Sequence, residues 1–252
     1  MRKWEIKQKA DMPETLEMYI YNDVEGTYYD WWTDEKVTPE TSSEYFRQEL
    51  EAHANAKEIN IYINSLGGSV LEGVAIYNQL KRHPAKKTVY VDGFACSVAS
   101  VIAMAGDKVI MPKNTVMMLH NAWTHTSGNA KQLRKQADDL ENMDKAFRQA
   151  YLLKAGDKLT EEKLIEMLDA ETYLTAEQCV ELGLANEFSE VEADISQAKS
   201  LLEKAKENNL EQHSEKIKKL CAKFEEIPSE PPTKTPAVNM ADEFMKFFNG
   251  GK

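Results

Sequence analysis

The sequence predicts an α/β fold, and two observations favour it. From Ile59 onward, short apolar strands alternate with segments of helical periodicity. Each helical segment follows a strand, which implies crossover connections and parallel strand pairs. A length of 252 residues and a hydrophobic content of 42% suffice for one main core with an appendage. We therefore expect parallel sheets covered by helices.

The predicted elements can be placed individually along the chain. Strands are predicted at 16–21, 61–64, 88–92, 108–112 and 115–120, and helices at 39–56, 129–155, 160–168 and 175–182. A turn followed by a helix is predicted at 67–83 and again at 93–106, where the turn begins at Gly93. The helix 129–155 is the longest, and charged residues fill one of its faces. Its other face is apolar, because Leu133, Ala137, Leu140, Phe147 and Tyr151 recur at helical spacing.

The chain divides into three predicted segments. Residues 1–188 form the predicted core domain. Residues 189–227 are a charged helical extension, either docked on its own domain or free to act as a coiled-coil or partner helix. Residues 228–252 are a proline-rich linker and a short apolar tail, since four of the eight prolines fall between positions 228 and 236.

Composition excludes several classes of function. A net charge of −11 disfavours binding to the phosphate backbone of nucleic acids. No apolar run approaches 18 residues, and the first residues lack the apolar stretch of a secretory signal, so we expect no membrane segment and a cytoplasmic location. Cys96, Cys179 and Cys221 form no CxxC pair, and the five histidines form no HExxH motif. We expect buried thiols, no metal and no cofactor.

Ser97 is the first candidate for chemistry. It follows the strand and the glycine of the segment VYVDG and opens an apolar helix. Such a position lifts a hydroxyl out of the sheet, into the field of free N–H groups at the start of a helix, as a nucleophile requires. A serine that opens a helix also serves as an ordinary N-cap. Both interpretations remain open from this feature alone.

Two further features lie at neighbouring strand ends. Gly67 and Gly68 lie between a strand and a helix, where they either form a plain tight turn or present N–H donors to an oxyanion. His120 closes the last predicted strand, at the carboxyl edge where parallel sheets place their sites. It could be a general base for Ser97 or a structural residue, and His125 is the reserve candidate.

These elements together resemble a known family. Three blocks carry the resemblance: INIYINSLGGSVLEGVAIYNQL, VYVDGFACSVASVIAMAGDKVIMPKNTVMMLH and AETYLTAEQCVELGLANEF. Their order and spacing are similar to those of the Clp protease proteolytic subunit, over roughly residues 16–188. The resemblance implies a serine peptidase with the crotonase-like fold, built from repeated ββα units.

The resemblance also implies roles for individual residues. Ser97 matches the nucleophile, His120 matches the base, and Glu171 falls on the position of the acidic third member. Asp169 is the alternative third member, because the family usually has aspartate and Glu171 is one methylene longer. The backbone N–H groups of Gly68 and Val98 match the oxyanion-hole donors. The family uses no metal or organic cofactor.

The chain departs from the family at several places. The motif Ser-Met-Gly-Ala at the nucleophile is here Ser97-Val98-Ala99-Ser100, and Leu66 replaces a proline before the two glycines. The amino-terminal region matches poorly, and the residues after Phe188 are foreign to housekeeping members. These departures resemble the phage and prophage branch, whose members act as head maturation (prohead) proteases.

The resemblance implies partners as well. We expect a homo-oligomeric ring, possibly of stacked rings that meet through the helix 129–155. Its substrates would be proteins or peptides such as capsid and scaffold precursors, and for a phage protein the location would be the host cytoplasm. A housekeeping subunit that acts with a Clp unfoldase is the alternative within the peptidase class.

Two alternatives come from other classes. A crotonase-type acyl-CoA enzyme would share the fold and the glycine-based oxyanion hole, but it would not need the pair of Ser97 and His120. A catalytically idle ring scaffold would keep the fold without a working triad, and the presence of Glu171 instead of aspartate leaves that alternative open.

Overall fold

The computed structural model describes residues 4–9 and 12–189 of the chain. The strands are β1 (Trp4–Lys9), β2 (Met12–Tyr21), β3 (Tyr28–Asp30), β4 (Glu35–Val37), β5 (Glu58–Ser65), β6 (Lys86–Cys96), β7 (Lys108–Pro112), β8 (Val116–Leu119), β9 (Thr172–Thr175) and β10 (Glu187–Ser189). The helices are α1 (Ser43–Ala52), α2 (Val70–Arg82), α3 (Val98–Ala103), α4 (Ala130–Ala155), α5 (Glu161–Asp169) and α6 (Ala176–Glu181). The predicted extension and tail from residue 190 onward lie outside the described residues.

The main sheet is mixed, with a parallel centre. Strands β2, β5, β6, β7 and β10 are parallel neighbours in that order, and β8 joins β6 in parallel. Antiparallel strands close two edges, where β1 pairs with β2 and β9 pairs with β8. The prediction of an α/β fold is confirmed, and the parallel strands of the prediction form the centre of a mixed sheet.

Strand β6 determines where the site forms. Its first half pairs with β7 through Thr88–Tyr90, and its second half pairs with β8 through Phe94–Cys96. The sequence analysis placed a turn at Gly93, but the strand continues through this residue to Cys96. The longer strand brings β8, which ends just before His120, alongside the end that precedes Ser97.

The two faces of the sheet differ in chemistry. One face contributes fully buried aliphatic side chains to the core. From β5 and β6 these are Ile59, Ile61, Ile63, Val89 and Val91. The helices α2 and α3 add Ile76, Leu80 and Ile102 to the same core. Alternation of side chains along each strand sends every second residue to the other face. There Tyr19, Tyr62 and Tyr90 stack across β2, β5 and β6 in register.

The predicted helix at 39–56 is shorter in the structure. Helix α1 begins at Ser43, with Ser42 as its N-cap, instead of after Thr38. The Ser42 N–H and hydroxyl both donate to the Pro39 carbonyl, which makes a turn before the helix. The same hydroxyl accepts the Tyr45 N–H, so the polar groups at the helix start are satisfied four residues later than predicted.

A short hairpin of β3 and β4 was not predicted. Its turn is ordered by Asp30, whose side chain accepts the N–H groups of Trp32 and Thr33. Trp31 and Trp32 at the tip are 87% and 98% exposed. The pattern of an exposed aromatic hairpin has neither the alternation nor the apolar run by which strands are predicted.

Helix α4 agrees with its predicted bounds. Asn129 caps it in a capping box with Gln132, and Gly156 ends it. The second half packs on the core through Phe147 and Tyr151. In the first half, Leu133 and Ala137 of the apolar face are exposed in the single chain. Within residues 4–9 and 12–189, no helix combines the length and hydropathy needed to span a membrane.

Candidate active site

Ser97 and His120 meet at the carboxyl ends of two parallel strands. Cys96 of β6 pairs with Met118 of β8, so the residues that follow each strand emerge side by side. The Nε2 atom of His120 lies 2.7 Å from the Oγ atom of Ser97. When the imidazole is neutral and carries its proton on Nδ1, the Ser97 hydroxyl donates to Nε2. In this arrangement the histidine can accept the proton of the hydroxyl as the oxygen attacks a carbonyl carbon.

The backbone of Ser97 is strained. Its φ of 54° and ψ of −133° lie in a region that side chains other than glycine rarely adopt. Ser97 precedes α3, yet its side chain makes no capping hydrogen bond to the helix. The hydroxyl points toward His120 instead, so the N-cap interpretation does not describe its position. A strained residue at a strand-to-helix turn is typical of an exposed nucleophile.

The two glycines form a tight turn beside Ser97. Gly67 and Gly68 have φ values of 103° and 140°. A Cβ atom on Gly67 would lie 2.5 Å from the Ser97 Cβ atom, so only glycine fits this close approach. Ser65 holds the turn, because its hydroxyl donates to the Asn22 carbonyl and accepts the Gly67 N–H.

Two backbone N–H groups, those of Gly68 and Val98, belong to residues close to Ser97: Gly68 lines the same cleft, and Val98 follows Ser97 in the chain. Val24 pairs with the turn through the Gly67 carbonyl and the Ser69 N–H, both at 2.8 Å. In this parallel bridge between Val24 and Gly68, the bonded groups belong to Gly67 and Ser69, so the Gly68 N–H is not used by Val24. Val98 is the first residue of α3, and the N–H of a first helical residue has no partner within the helix.

Strand pairing brings Glu171 next to His120. Leu119 of β8 pairs with Thr172 of antiparallel β9, so the adjoining residues His120 and Glu171 lie at the same end of this strand pair. Glu171 is exposed and has a left-handed φ of 50°. Its charge raises the pKa of His120 more than that of any other neighbouring carboxylate.

The two alternative candidates have different contacts. Asp169, at the end of α5, accepts a hydrogen bond of 2.7 Å from the Asn121 side-chain amide. It therefore holds the residue that follows His120. His125 is exposed, and its ring lies edge-on against Trp123 with 5.0 Å between ring centroids. The histidine bonded to Ser97 is thus His120, and the carboxylate at the same end of the strand pair is Glu171.

Asp144 is a site residue that the sequence analysis missed. It lies on α4, is only 8% exposed, and accepts the Ala122 N–H at 2.8 Å. Burial raises its pKa, while this hydrogen bond, Arg148 and His120 act in the opposite direction. The sequence does contain an indication of this contact, because Asp144 falls between Leu140 and Phe147 on the apolar face of the helix. A carboxylate on a buried stripe indicates a specific partner.

The protonation state of His120 follows from its surroundings. Burial lowers the pKa of the imidazole below its ordinary value of 6.5, and the charges of Glu171 and then Asp144 oppose this shift. A lowered pKa means that the neutral form prevails at neutral pH. The imidazole can therefore accept a proton under those conditions.

A pH dependence follows from this shift. We expect the rate at which a fluorophosphonate modifies Ser97 to rise with pH through an apparent pKa below 6.5 and to level off near neutral pH. The reason is that protonated His120 cannot accept the Ser97 proton. Stopped labelling reactions analysed by intact mass between pH 4.5 and 8.5 would measure the profile. An inflection above 6.5 would contradict the assignment of the lowered pKa to His120.

Two adjoining spaces surround the pair. A cleft of about 380 Å³ is lined by Gly67, Gly68, Ser97, His120 and Trp123 among others. A small pocket of about 10 Å³ reaches from Ser97 and His120 to Val101, Phe147 and Tyr151. The cleft is large enough for a few atoms of an extended polypeptide beside the serine hydroxyl.

Other sequence expectations concern cysteines and metals. Cys96 and Cys179 are buried and unpaired, as expected, and burial raises the pKa of each thiol to about 12. Cys221 lies outside the described residues. In the described part of the chain, no group of three or more His, Cys, Asp or Glu side chains is arranged to hold a metal ion.

The fold and the site define a class of protein: an α/β protein in which a strained serine and a histidine meet at the ends of parallel strands. A family model described as Clp protease matches residues 34–192, which is more than half of the chain. The chain belongs to the Clp protease family. This membership implies peptidase activity, the hydrolysis of peptide bonds.

Proposed function

We propose that this protein is a serine endopeptidase that acts through an acyl-enzyme intermediate on Ser97. The observation that carries the proposal is the 2.7 Å contact between His120 Nε2 and Ser97 Oγ at a strained strand-to-helix turn. The contact occurs in a chain of a peptidase family. A strained serine in hydrogen-bond contact with a base has the arrangement of an activated nucleophile.

The proposed reaction has an acylation and a deacylation step, and His120 transfers the proton in both. Ser97 Oγ attacks the carbonyl carbon of the scissile bond while His120 takes the hydroxyl proton. The oxyanion that forms accepts hydrogen bonds from the backbone N–H groups of Gly68 and Val98. His120 then gives its proton to the leaving amine, and the C–N bond breaks to leave an ester on Ser97. Water gives a proton to His120 and attacks the ester carbonyl carbon. The C–O bond to Ser97 then breaks, His120 returns the proton to Ser97 Oγ, and the acid product leaves.

Glu171 is the proposed third member. Its charge stabilises the imidazolium that exists after Ser97 has lost its proton. The β8–β9 register and the effect on the His120 pKa support Glu171 over Asp169. Asp144 adds a second negative charge from α4. No cofactor takes part in these steps.

Amide variants of the two candidate acids test this choice. We expect Glu171→Gln to slow modification of Ser97 at least about tenfold and to move the apparent pKa of the profile further down, because an opposing charge is lost. The matched variant Asp169→Asn should leave the apparent pKa unchanged. The reverse pattern would assign the third member to Asp169 instead.

For the biological role of this peptidase, we propose that it is a phage or prophage head maturation protease in the cytoplasm of the host cell. The charged segment 189–227 and the proline-rich segment 228–252 support it as additions to the peptidase domain. Processing of scaffold or capsid precursors would then be the natural reaction. Stimulation of proteolysis by a Clp unfoldase would favour the housekeeping role instead.

We also propose that the subunits form a homo-oligomeric ring of the crotonase-like fold with repeated ββα units. The exposed apolar side chains of α4 support a ring-to-ring contact, since Leu133 is 43% exposed and Leu153 is 77% exposed. Light scattering after gel filtration measures the assembly. A monomer at micromolar concentration would argue against the ring.

Labelling of the wild-type chain tests the proposed chemistry. A fluorophosphonate should add once per chain, and peptide mass spectrometry should locate the adduct on Ser97. The rate of hydrolysis of fluorogenic peptides should fall in proportion to the fraction of chains that carry the label. Acyl-CoA hydrolysis without peptide hydrolysis would favour the crotonase-type enzyme, and the absence of both labelling and hydrolysis in the assembled protein would favour an idle scaffold.

A further inference from the structure

A buried hydroxyl pair lies beneath the nucleophile. The Oγ atom of Ser100 lies 2.7 Å from the Tyr151 hydroxyl and 2.5 Å from the Ser97 carbonyl oxygen, and Met118 offers a second carbonyl at 3.4 Å. Ser100 is fully buried, and Tyr151 is 1% exposed. The two residues come from different helices, α3 and α4.

The direction of the two hydrogen bonds follows from the number of protons. A carbonyl oxygen only accepts, so the single hydroxyl proton of Ser100 goes to the Ser97 carbonyl. Tyr151 must then donate its proton to Ser100 Oγ. Burial raises the pKa of Tyr151, which keeps this proton in place across the physiological pH range. Hydrogen bonds in such a chain polarise and strengthen one another.

The chain of hydrogen bonds ends on the peptide unit that carries the proposed oxyanion donor. The carbonyl of Ser97 and the N–H of Val98 belong to one planar peptide group and point in opposite directions. A bond that fixes the carbonyl therefore also fixes the direction of the Val98 N–H. The Ser100 N–H donates to the same carbonyl at 2.9 Å, so two donors from Ser100 hold it.

Ser97 needs such support because of its backbone conformation. A left-handed φ in a residue with a side chain persists only where the surroundings hold it. On the amino side, the Ser97 N–H donates to the Met118 carbonyl at 2.9 Å. On the carboxyl side, the support is the pair of Ser100 and Tyr151. The family motif that the turn resembles has alanine at the position of Ser100, so this support is a departure of this chain.

We propose that Tyr151 and Ser100 are positioning residues that hold the Ser97–Val98 peptide plane in the orientation that serves the nucleophile and the oxyanion. This inference rests on the proposed function, since it assigns a task in the same site. Neither side chain touches the reacting atoms in this role. Both act through the backbone of Ser97.

Three variants test the inference: Tyr151→Phe, Ser100→Ala and the double variant. Each is measured for stability by urea unfolding, for the rate of fluorophosphonate labelling, and for kcat and KM on a fluorogenic peptide. We expect each single variant to lower kcat about tenfold with little change in KM, because the oxyanion donors act on the transition state and misoriented donors stabilise it less. Tyr77→Phe, at another buried tyrosine on α2, is the control and should keep the wild-type rate.

The double variant separates positioning from simple packing. Removal of both hydroxyls leaves no unpaired buried donor, so its stability should return toward that of the wild type. If the pair positions the peptide plane, kcat stays low in this stable variant. If kcat returns together with stability, the pair is only structural and the inference is wrong. If the wild type itself does not label at Ser97, the proposed function fails and the inference fails with it.

Discussion

Replacement of Ser97 by alanine should abolish both fluorophosphonate labelling and peptide hydrolysis. Loss of the nucleophile of a serine–histidine pair lowers kcat on the order of a millionfold, which leaves only background hydrolysis. The fold should survive, because the Ser97 side chain contributes no capping hydrogen bond to α3. Intact mass after labelling and a peptide hydrolysis assay measure the effect on the purified, assembled protein.

The same variant also tests the biological role. Co-expression of wild type and Ser97→Ala, followed by intact mass, would reveal self-processing between Phe188 and Met240. Trimming of the wild type alone would support the head maturation role. Equal labelling of both proteins would contradict the assignment of Ser97, and Ser69→Ala, at the N-cap of α2, is a control that should retain labelling.

Replacement of Gly67 by alanine should nearly abolish labelling while leaving the protein folded. The added methyl would lie 2.5 Å from the Ser97 Cβ atom and 3.0 Å from its Oγ atom, so the nucleophile must move by about 1 Å. A displacement of that size costs about a hundredfold in rate. The positive φ of 103° adds an estimated 1–2 kcal/mol of strain to the folded state.

Gly156→Ala is the matched control for this variant. Gly156 also has a positive φ, of 58°, but a Cβ atom there would meet nothing within 4 Å. Both variants carry the strain of a positive φ, but only Gly67→Ala adds a steric clash. Gly67→Ala should therefore lose more stability in urea unfolding, and only Gly67→Ala should lose labelling. A comparable loss of labelling in Gly156→Ala would mean that strain at a distance, and not the contact with Ser97, lowers the rate.

The sequence was most informative about the centre of the sheet. The bounds of β7 and α4 agree with the prediction to within a residue, because an apolar run and a capping box mark them locally. The approach of Ser97 to His120 could be anticipated because both follow strands whose carboxyl ends share one edge. These are features of neighbouring residues and of the simplest parallel topology.

The rest depended on contacts that are distant in the sequence. Strand β9 has four residues and no clear alternation, so its pairing with β8 was not predicted, and the place of Glu171 rested on resemblance alone. The contact of Asp144 with the Ala122 N–H links α4 to the segment that follows β8. Periodicity identifies the face on which Asp144 lies, but not the group that the face meets.

Chain connectivity gives the site an order of assembly. Ser97 and His120 are 23 positions apart and are joined by a single crossover through α3 and β7. His120 and Glu171 are adjacent in space, but the fifty residues between them include all of α4 and α5. The entropy of closing that larger loop must be offset by the packing of α4 before His120 and Glu171 can meet. Ser97 and His120 can therefore pair early in folding, whereas we expect Glu171, the proposed third member, to join them only when α4 has docked.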